Sequence, residues 1–391
     1  MSHQYAVASA SWPDHLVFGV GDGAHDTVGA IERRFAVWRE KLDTRIVHWR
    51  EVRTRRDLSH YYSSPDNPRT QEKAIRSVEW DDFEVVPRVA HDNGMKALLY
   101  VSVFDDGRGL LTDEERKVSF HNAMHGQHVT WQTDWSRAHP DFATVDRTGG
   151  LRQWGVFSYA HPEVRTHMAD RIDAMVEGSD FDGVFICTRS QCRPSEYGDQ
   201  FGFDEATRVD MLEATDRDIL REDFDLDAWR RLHGSYFTTF LEEVSQRLRA
   251  RGMSLGVGLP RGDVIGPPLG NWELQWRRWV AEGIVDQIVV GQNSSQCPSM
   301  WHQLWPMHRG YGYLQNYIDG KGMPPLAEQV REVYSPVFVG SGVDLYIARQ
   351  WDEPDERTEA DLLAPPGVSG LVFSTFRYDN PEAVAKGDWV A

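Results

Sequence analysis

Cysteine is scarce in this chain. Its 391 residues include three, Cys187, Cys192 and Cys297. An odd and small number excludes a disulfide framework and fits a reducing compartment. No CxxC pair occurs, so no structural zinc is implied. Long apolar runs are missing too: none approaches the roughly 18 residues of a membrane span. Residues 1–15 have neither the basic nor the apolar region of a signal peptide, and a cytoplasmic protein is the expectation. Basic charge is also short, 42 Lys+Arg against 60 Asp+Glu, for a net charge of −18. That balance excludes general binding to nucleic acid and docking on anionic membranes. A local arginine cluster can still oppose the global field and hold an anionic small substrate. The glycine-rich stretch 19–23 lacks both GxGxxG and a P-loop lysine, so no nucleotide and no other cofactor is expected.

Aromatic residues are plentiful: 15 Trp, 13 Tyr and 17 Phe make up 12% of the chain. Any single one packs a core most simply, but together they suit a platform for flat-faced ligands such as sugars. Short apolar runs, the mark of parallel strands covered on both faces, occur at 16–22, 45–51, 96–105, 183–189, 254–260, 286–292, 344–350 and 369–376. Amphipathic segments predict helices at 27–42, 80–93, 162–178, 227–252 and 272–283. No repeat of 20–50 residues and no low-complexity linker interrupts the pattern. The reading is α/β: a (β/α)8 TIM barrel forming one domain over 1–391. Residues 106–158 form a long insertion after the third strand, expected to cap the barrel mouth. Segment 310–318 reads equally as an extra strand or as the true seventh one.

In this fold chemistry sits at the carboxyl ends of the strands. That rule selects Asp22, His48, Glu51, Asp105, Arg189, Asp263, Asn293 and Trp351. Carboxylates converging from several strands suit glycoside cleavage, which needs one carboxyl as acid and a second as base or nucleophile. Asp105 and Asp263 are the expected pair, with Glu51 third, and Asp106 is a like-charge neighbour that would raise the pKa of Asp105. His48 and Arg189 would bind substrate hydroxyls or a carboxylate. Asp22 and Asn293 would add polar contacts, and Trp131, Trp135, Trp154 and Trp351 would be stacking platforms. His121, His125 and His128 have a spacing that could bind a metal on a helix, although Gly126 weakens that helix and no HExxH is present. Cys187 beside Arg189 could be a nucleophile, or simply a small buried residue. Asp182 and Asp286 begin strands at the barrel bottom and read as structural.

One stretch carries a resemblance. His161-Pro162-Glu163-Val164-Arg165, then Asp180-Phe181-Asp182-Gly183-Val184, then Phe201-Gly202-Phe203 are similar to the motifs of the family-10-like glycosyl hydrolases, bacterial TIM-barrel proteins. Residues 276–290 resemble that group's W-x-x-W strand entry. His139-Pro140-Asp141 with Asp146 to Gly150 resembles one of its loops. The match covers about 138–290. It implies a barrel with a carbohydrate substrate and glycosidase activity, without naming the sugar. Members place an Asp at the tip of the fourth strand, where this chain has Cys187. Three functions follow, in order: a glycoside hydrolase, on an anionic sugar if the arginines line the mouth; an inactive carbohydrate-binding barrel; and a metal-dependent hydrolase or lyase. Oligomeric state is not written in the sequence.

Overall fold

The computed structural model describes residues 5–10, 27–50, 80–104, 106–108, 131–188, 199–266, 270–291, 325–348 and 356–374. Eight parallel strands close a barrel: β1 (Val7–Ala10), β2 (Ile46–Arg50), β3 (Lys96–Ser102), β4 (Gly183–Cys187), β5 (Ser254–Leu259), β6 (Gln287–Val290), β7 (Asp344–Ala348) and β8 (Val368–Ser374). Each pairs with its neighbours in sequence, and β8 closes on β1 through Val7↔Val372. This is the (β/α)8 TIM barrel.

Seven of the eight expected strands hold. The first does not: β1 is the short, small-residue run Val7–Ala10, registered with Ile46–Trp49 of β2. Segment 16–22 lies outside the described residues. Its higher apolarity reads as the better strand, but the barrel selects for fit. Gly370 in β8 approaches Ala6, just before β1, so closely that a Cβ on it would lie 2.5 Å from Ala6 Cβ.

Four helices fall where the periodicity places them, and the one at 205–215 is not among the expected segments. α1 (Val28–Leu42) starts at Thr27, whose side chain accepts from the Ala30 amide, and stops at Asp43 in the left-handed region. α2 (Asp82–Asp92) is capped by Asp81 and ends at Asn93-Gly94. α3 (Pro162–Val176) opens on proline, where a missing N–H costs nothing. α4 (Glu205–Thr215) and α5 (Leu226–Ala250) follow β4. The expected helix at 272–283 is shorter: α6 spans Trp276–Ala281. Gly270–Glu273 instead pairs antiparallel with Val264–Gly266, and the Leu274 amide donates to the Asp263 carbonyl at 2.7 Å.

At the barrel bottom Asp182 Oδ2 accepts the Ala97 amide at 2.8 Å, and Asp286 Oδ2 accepts the Leu255 amide at 2.7 Å. Each carboxylate fastens the start of the strand that precedes its own in the barrel. Both are structural, as their positions predict.

After β3, the described part of the insertion builds two hairpins, Gly107–Arg108 with Trp131–Gln132 and Ala143–Val145 with Arg152–Phe157. Asp106 joins them: its amide donates to Gly155 O, and its carbonyl accepts from the Thr133 amide, both at 3.0 Å. Its carboxylate, fully buried, meets Arg171 of α3 at 2.5 Å. That arginine also donates to Ser102 O at the end of β3.

Candidate active site at the barrel mouth

Strand residues alternate between the interior and the surrounding helices. In β2, Val47 and Trp49 pack in the outer core, so Ile46, His48 and Arg50 face inward. By the same parity Leu98, Tyr100 and Ser102 of β3, and Phe185 and Cys187 of β4, face inward. In β5, Leu255, Val257 and Leu259 pack outward, which leaves Ser254, Gly256 and Gly258 as its inward positions.

This lining changes character along the axis. Val7, Ile46 and Leu98 form an apolar lower part. Toward the carboxyl ends come Ser9, Arg50 and Ser102, all buried. Arg50 Nη1 donates to Ser102 Oγ, and its guanidinium lies over the Tyr100 ring, 5.3 Å from the centroid. Tyr100 Oη donates to Cys187 Sγ at 3.1 Å, and Thr188 Oγ1 donates to Gly258 O at 2.6 Å. One layer below, the fully buried His48 ring stacks on Phe185 with centroids 3.9 Å apart. Burial pushes the His48 pKa down to about 3 against a smaller opposing effect of Gln287, so the imidazole is neutral.

Several expected site residues, Asp22, Glu51, Asp105, Arg189, Asn293 and Trp351, lie outside the described residues, as do His121, His125 and His128. Glu51 directly follows Arg50 at the end of β2, and Asp105 comes three positions after Ser102 at the end of β3. Because the first strand is Val7–Ala10, Asp22 does not terminate it. Trp131 and Trp154 lie on the hairpin strands of the insertion.

Three of the expected residues have partners of their own. The Trp135 ring is not an open platform: His167 stacks on it at 3.9 Å and 4°, and Phe157 meets it edge-on. It packs the insertion against α3. Asp263 Oδ1 is shared by Trp276 Nε1 at 2.7 Å and Arg277 Nη1 at 2.8 Å, so this carboxylate anchors the start of α6. Asp106 brings no unbalanced charge to Asp105, because Arg171 meets it. Among the described residues no three His, Cys, Asp or Glu side chains group as a metal would require, and no helix is long and apolar enough to cross a membrane.

Two of the motifs behind the family resemblance, the one beginning at His161 and the one at Phe201-Gly202-Phe203, meet at one buried cluster beside the barrel. Gly202 of the F-G-F stretch has φ +117, and a Cβ on it would lie 2.6 Å from His233 Nε2. That nitrogen donates to Gly202 O at 3.1 Å. Asp204 caps α4 through the Thr207 amide, 3.5 Å from His161 Nε2. Burial alone would raise the Asp204 carboxyl. His161, His233, the Thr207 amide and Ser158 together outweigh that and hold it below the usual range. His233, stacked on Trp272, is pushed down to about 4 by burial, with the Asp204 charge opposing. Single residues do not reveal this cluster, nor that Tyr100 and Ser102 pair up on the inward face of β3. The two-residue period of β3 was the available signal for the pair.

No family model matches the chain, and no curated protein matches it. Among solved structures, the PgaB (BpsB) glycoside hydrolase domain from Bordetella bronchiseptica is similar over 100% of this chain and 99% of its own, at 12% identity and a TM-score of 0.52. Alpha-L-fucosidase isoenzyme 2 from Paenibacillus thiaminolyticus aligns with 99% of this chain at 12% identity and a TM-score of 0.49. This chain spans about half the length of that fucosidase, 50%. At these identities the likeness concerns the fold.

Proposed function

We propose that this chain is a carbohydrate-active barrel of the glycoside hydrolase type, working at the carboxyl-end mouth on a sugar that bears an acid group. The observation that carries the reading is the segregation of the lining: apolar below, polar at the mouth, with Arg50 buried among hydroxyls. An arginine presents a planar fork of donors suited to a carboxylate or sulfate. The resemblance to the family-10-like glycosyl hydrolases and the similarity in fold to the PgaB domain support the same direction.

With Asp263 tied to α6, the acid and base of this reading are Glu51 and Asp105, which follow the adjacent strands β2 and β3. One carboxyl gives its proton to the glycosidic oxygen. The other either activates water or attacks the anomeric carbon; a separation of about 5–5.5 Å gives retention and about 6.5–9.5 Å inversion. Arg189, Asn293, Trp131, Trp154 and Trp351 remain proposed substrate contacts.

Turnover of a panel of neutral and uronic-acid glycosides tests this. Asp105→Asn and Glu51→Gln are each expected to lower kcat by about 10²–10⁴-fold with unchanged thermal stability. Asp263→Asn should lower stability and leave kcat intact. Unchanged turnover in both of the first two variants would overturn the assignment. Arg50→Met should raise KM for acidic substrates more than for neutral ones.

Cys187 favours a second reading, a barrel that binds sugar without cleaving it. It stands where the resembling group has an acid, and it is buried against Tyr100. Calorimetric binding of a glycoside with no turnover by the unaltered protein would select that reading.

A further inference from the structure

β2 pairs with β3 only as far as Arg50↔Tyr100, so Ser102 at the end of β3 stands one inward position beyond that ladder. Its backbone is held from the helix layer. Arg171 Nη2 donates to Ser102 O at 3.0 Å, and Tyr159 Oη donates to the next carbonyl, Val103 O, at 2.7 Å. The side chain of Ser102 faces the mouth, where Arg50 Nη1 donates to its Oγ. Arg50, Ser102 and Arg171 are all buried. The Tyr100 ring under the Arg50 guanidinium is fixed in turn by its bond to Cys187 Sγ. Arg50 is thus aimed by a ring at its face and an oxygen at its edge.

A guanidinium only donates, so Ser102 Oγ is the acceptor in its bond with Arg50 and keeps its own proton to give. An N–H donor and an O–H donor therefore stand side by side at the mouth. We propose that Ser102 is a specificity-determining residue: its oxygen sets the Arg50 fork, and its proton goes to the same acid group of the sugar. A carboxylate accepts at both of its oxygens and gains a charge-assisted bond from each donor. The hydroxymethyl group of a neutral sugar offers one oxygen and no charge. Arg171 and Tyr159, by holding the backbone on either side of Ser102 Cα and one residue on, keep the hydroxyl beside the fork. The inference rests on the acid-sugar reading above and adds the residue that sets the preference.

A crystal structure of the whole chain soaked with glucuronate tests this. The carboxylate is expected within about 2.5–3.2 Å of both the Arg50 guanidinium and Ser102 Oγ. A carboxylate on Arg50 with Ser102 Oγ turned away from it overturns the inference. In calorimetry, Ser102→Ala should lower the ratio of glucuronate to glucose affinity about tenfold or more, since a bond to a charged group is lost. Ser102→Thr, which keeps the hydroxyl, should restore most of that ratio. An unchanged ratio in Ser102→Ala overturns the inference. No glucuronate at the mouth of the unaltered protein removes the acid-sugar reading and this inference with it. Glucuronate held by both residues, with no glycoside cleaved, refutes only the hydrolase. Uronic-acid glycosides cleaved with a preference that Ser102→Ala leaves intact refute only the role of Ser102.

Discussion

The Asp106–Arg171 pair shows how one residue can be misread when its partner is far away in sequence. Asp106 stands beside a proposed catalytic carboxylate, in an Asp-Asp-Gly-Arg stretch that looks like a site. Its charge is instead spent on holding the insertion, β3 and α3 together. Both ends of the pair are buried, so removing one partner takes a close counter-charge from the other. Asp106→Ala or Arg171→Met should each lower the unfolding free energy by about 3–5 kcal/mol. The double variant Asp106→Leu with Arg171→Met should recover much of the loss, because no lone charge remains. Urea unfolding of the four proteins checks this. A double variant as unstable as the sum of the singles would show that the pair does more than neutralise itself.

Elements were legible to different degrees, for physical reasons. Seven strands could be read because a parallel strand covered on both faces must be apolar throughout. β1 could not, since Val-Ala-Ser-Ala is a short run of small residues and shows little hydrophobicity. Helix starts near 27, 80 and 162 were legible because helical periodicity is local. Contacts between elements were not. Gly234 lies in the middle of the 25-residue α5, where glycine is a poor helix former. Its reason is the hairpin strand Gly270–Glu273: a Cβ there would lie 1.5 Å from Glu273 O. Propensity alone predicts that Gly234→Ala stabilises α5 by about 1 kcal/mol. The contact predicts the opposite, a loss of about 1–3 kcal/mol or more as hairpin and helix separate. Thermal unfolding of Gly234→Ala decides the sign, and a rise in Tm would mean the hairpin yields freely. At the mouth, residue types at strand ends were legible, but their partners were not: Asp263 and Trp135 look available until Arg277 and His167 are placed.

For the molecule as a whole, pH brings two opposing trends. With a net charge of −18 the chain repels itself at neutral pH, and mild acid relieves that repulsion. Carboxylates, however, take up protons mainly near pH 4, well below the ordinary histidine range. His48 and His233, buried in separate places, have folded-state values pushed down to about 3 and about 4. Unfolding returns both to about 6.5. The unfolded state therefore binds more protons between those limits. Both histidines contribute full stability above pH 6.5, and the contribution is lost as pH falls toward the folded values. Each contributes a slope of up to about 1.4 kcal/mol per pH unit within the window, so the two together approach 2.7 kcal/mol per unit. Asp204, also held low, follows the same sign but acts below the ordinary carboxylate range, so it does not shape this interval. Urea unfolding at pH 7.5, 6.5 and 5.5 should show a small change over the first step and a marked loss over the second. His48→Phe should reduce the second loss by about half, and His233→Gln should do the same while keeping a side-chain donor toward Gly202 O. Equal stability at all three values would mean that relief of the net negative charge, not the two buried imidazoles, governs the fold in mild acid.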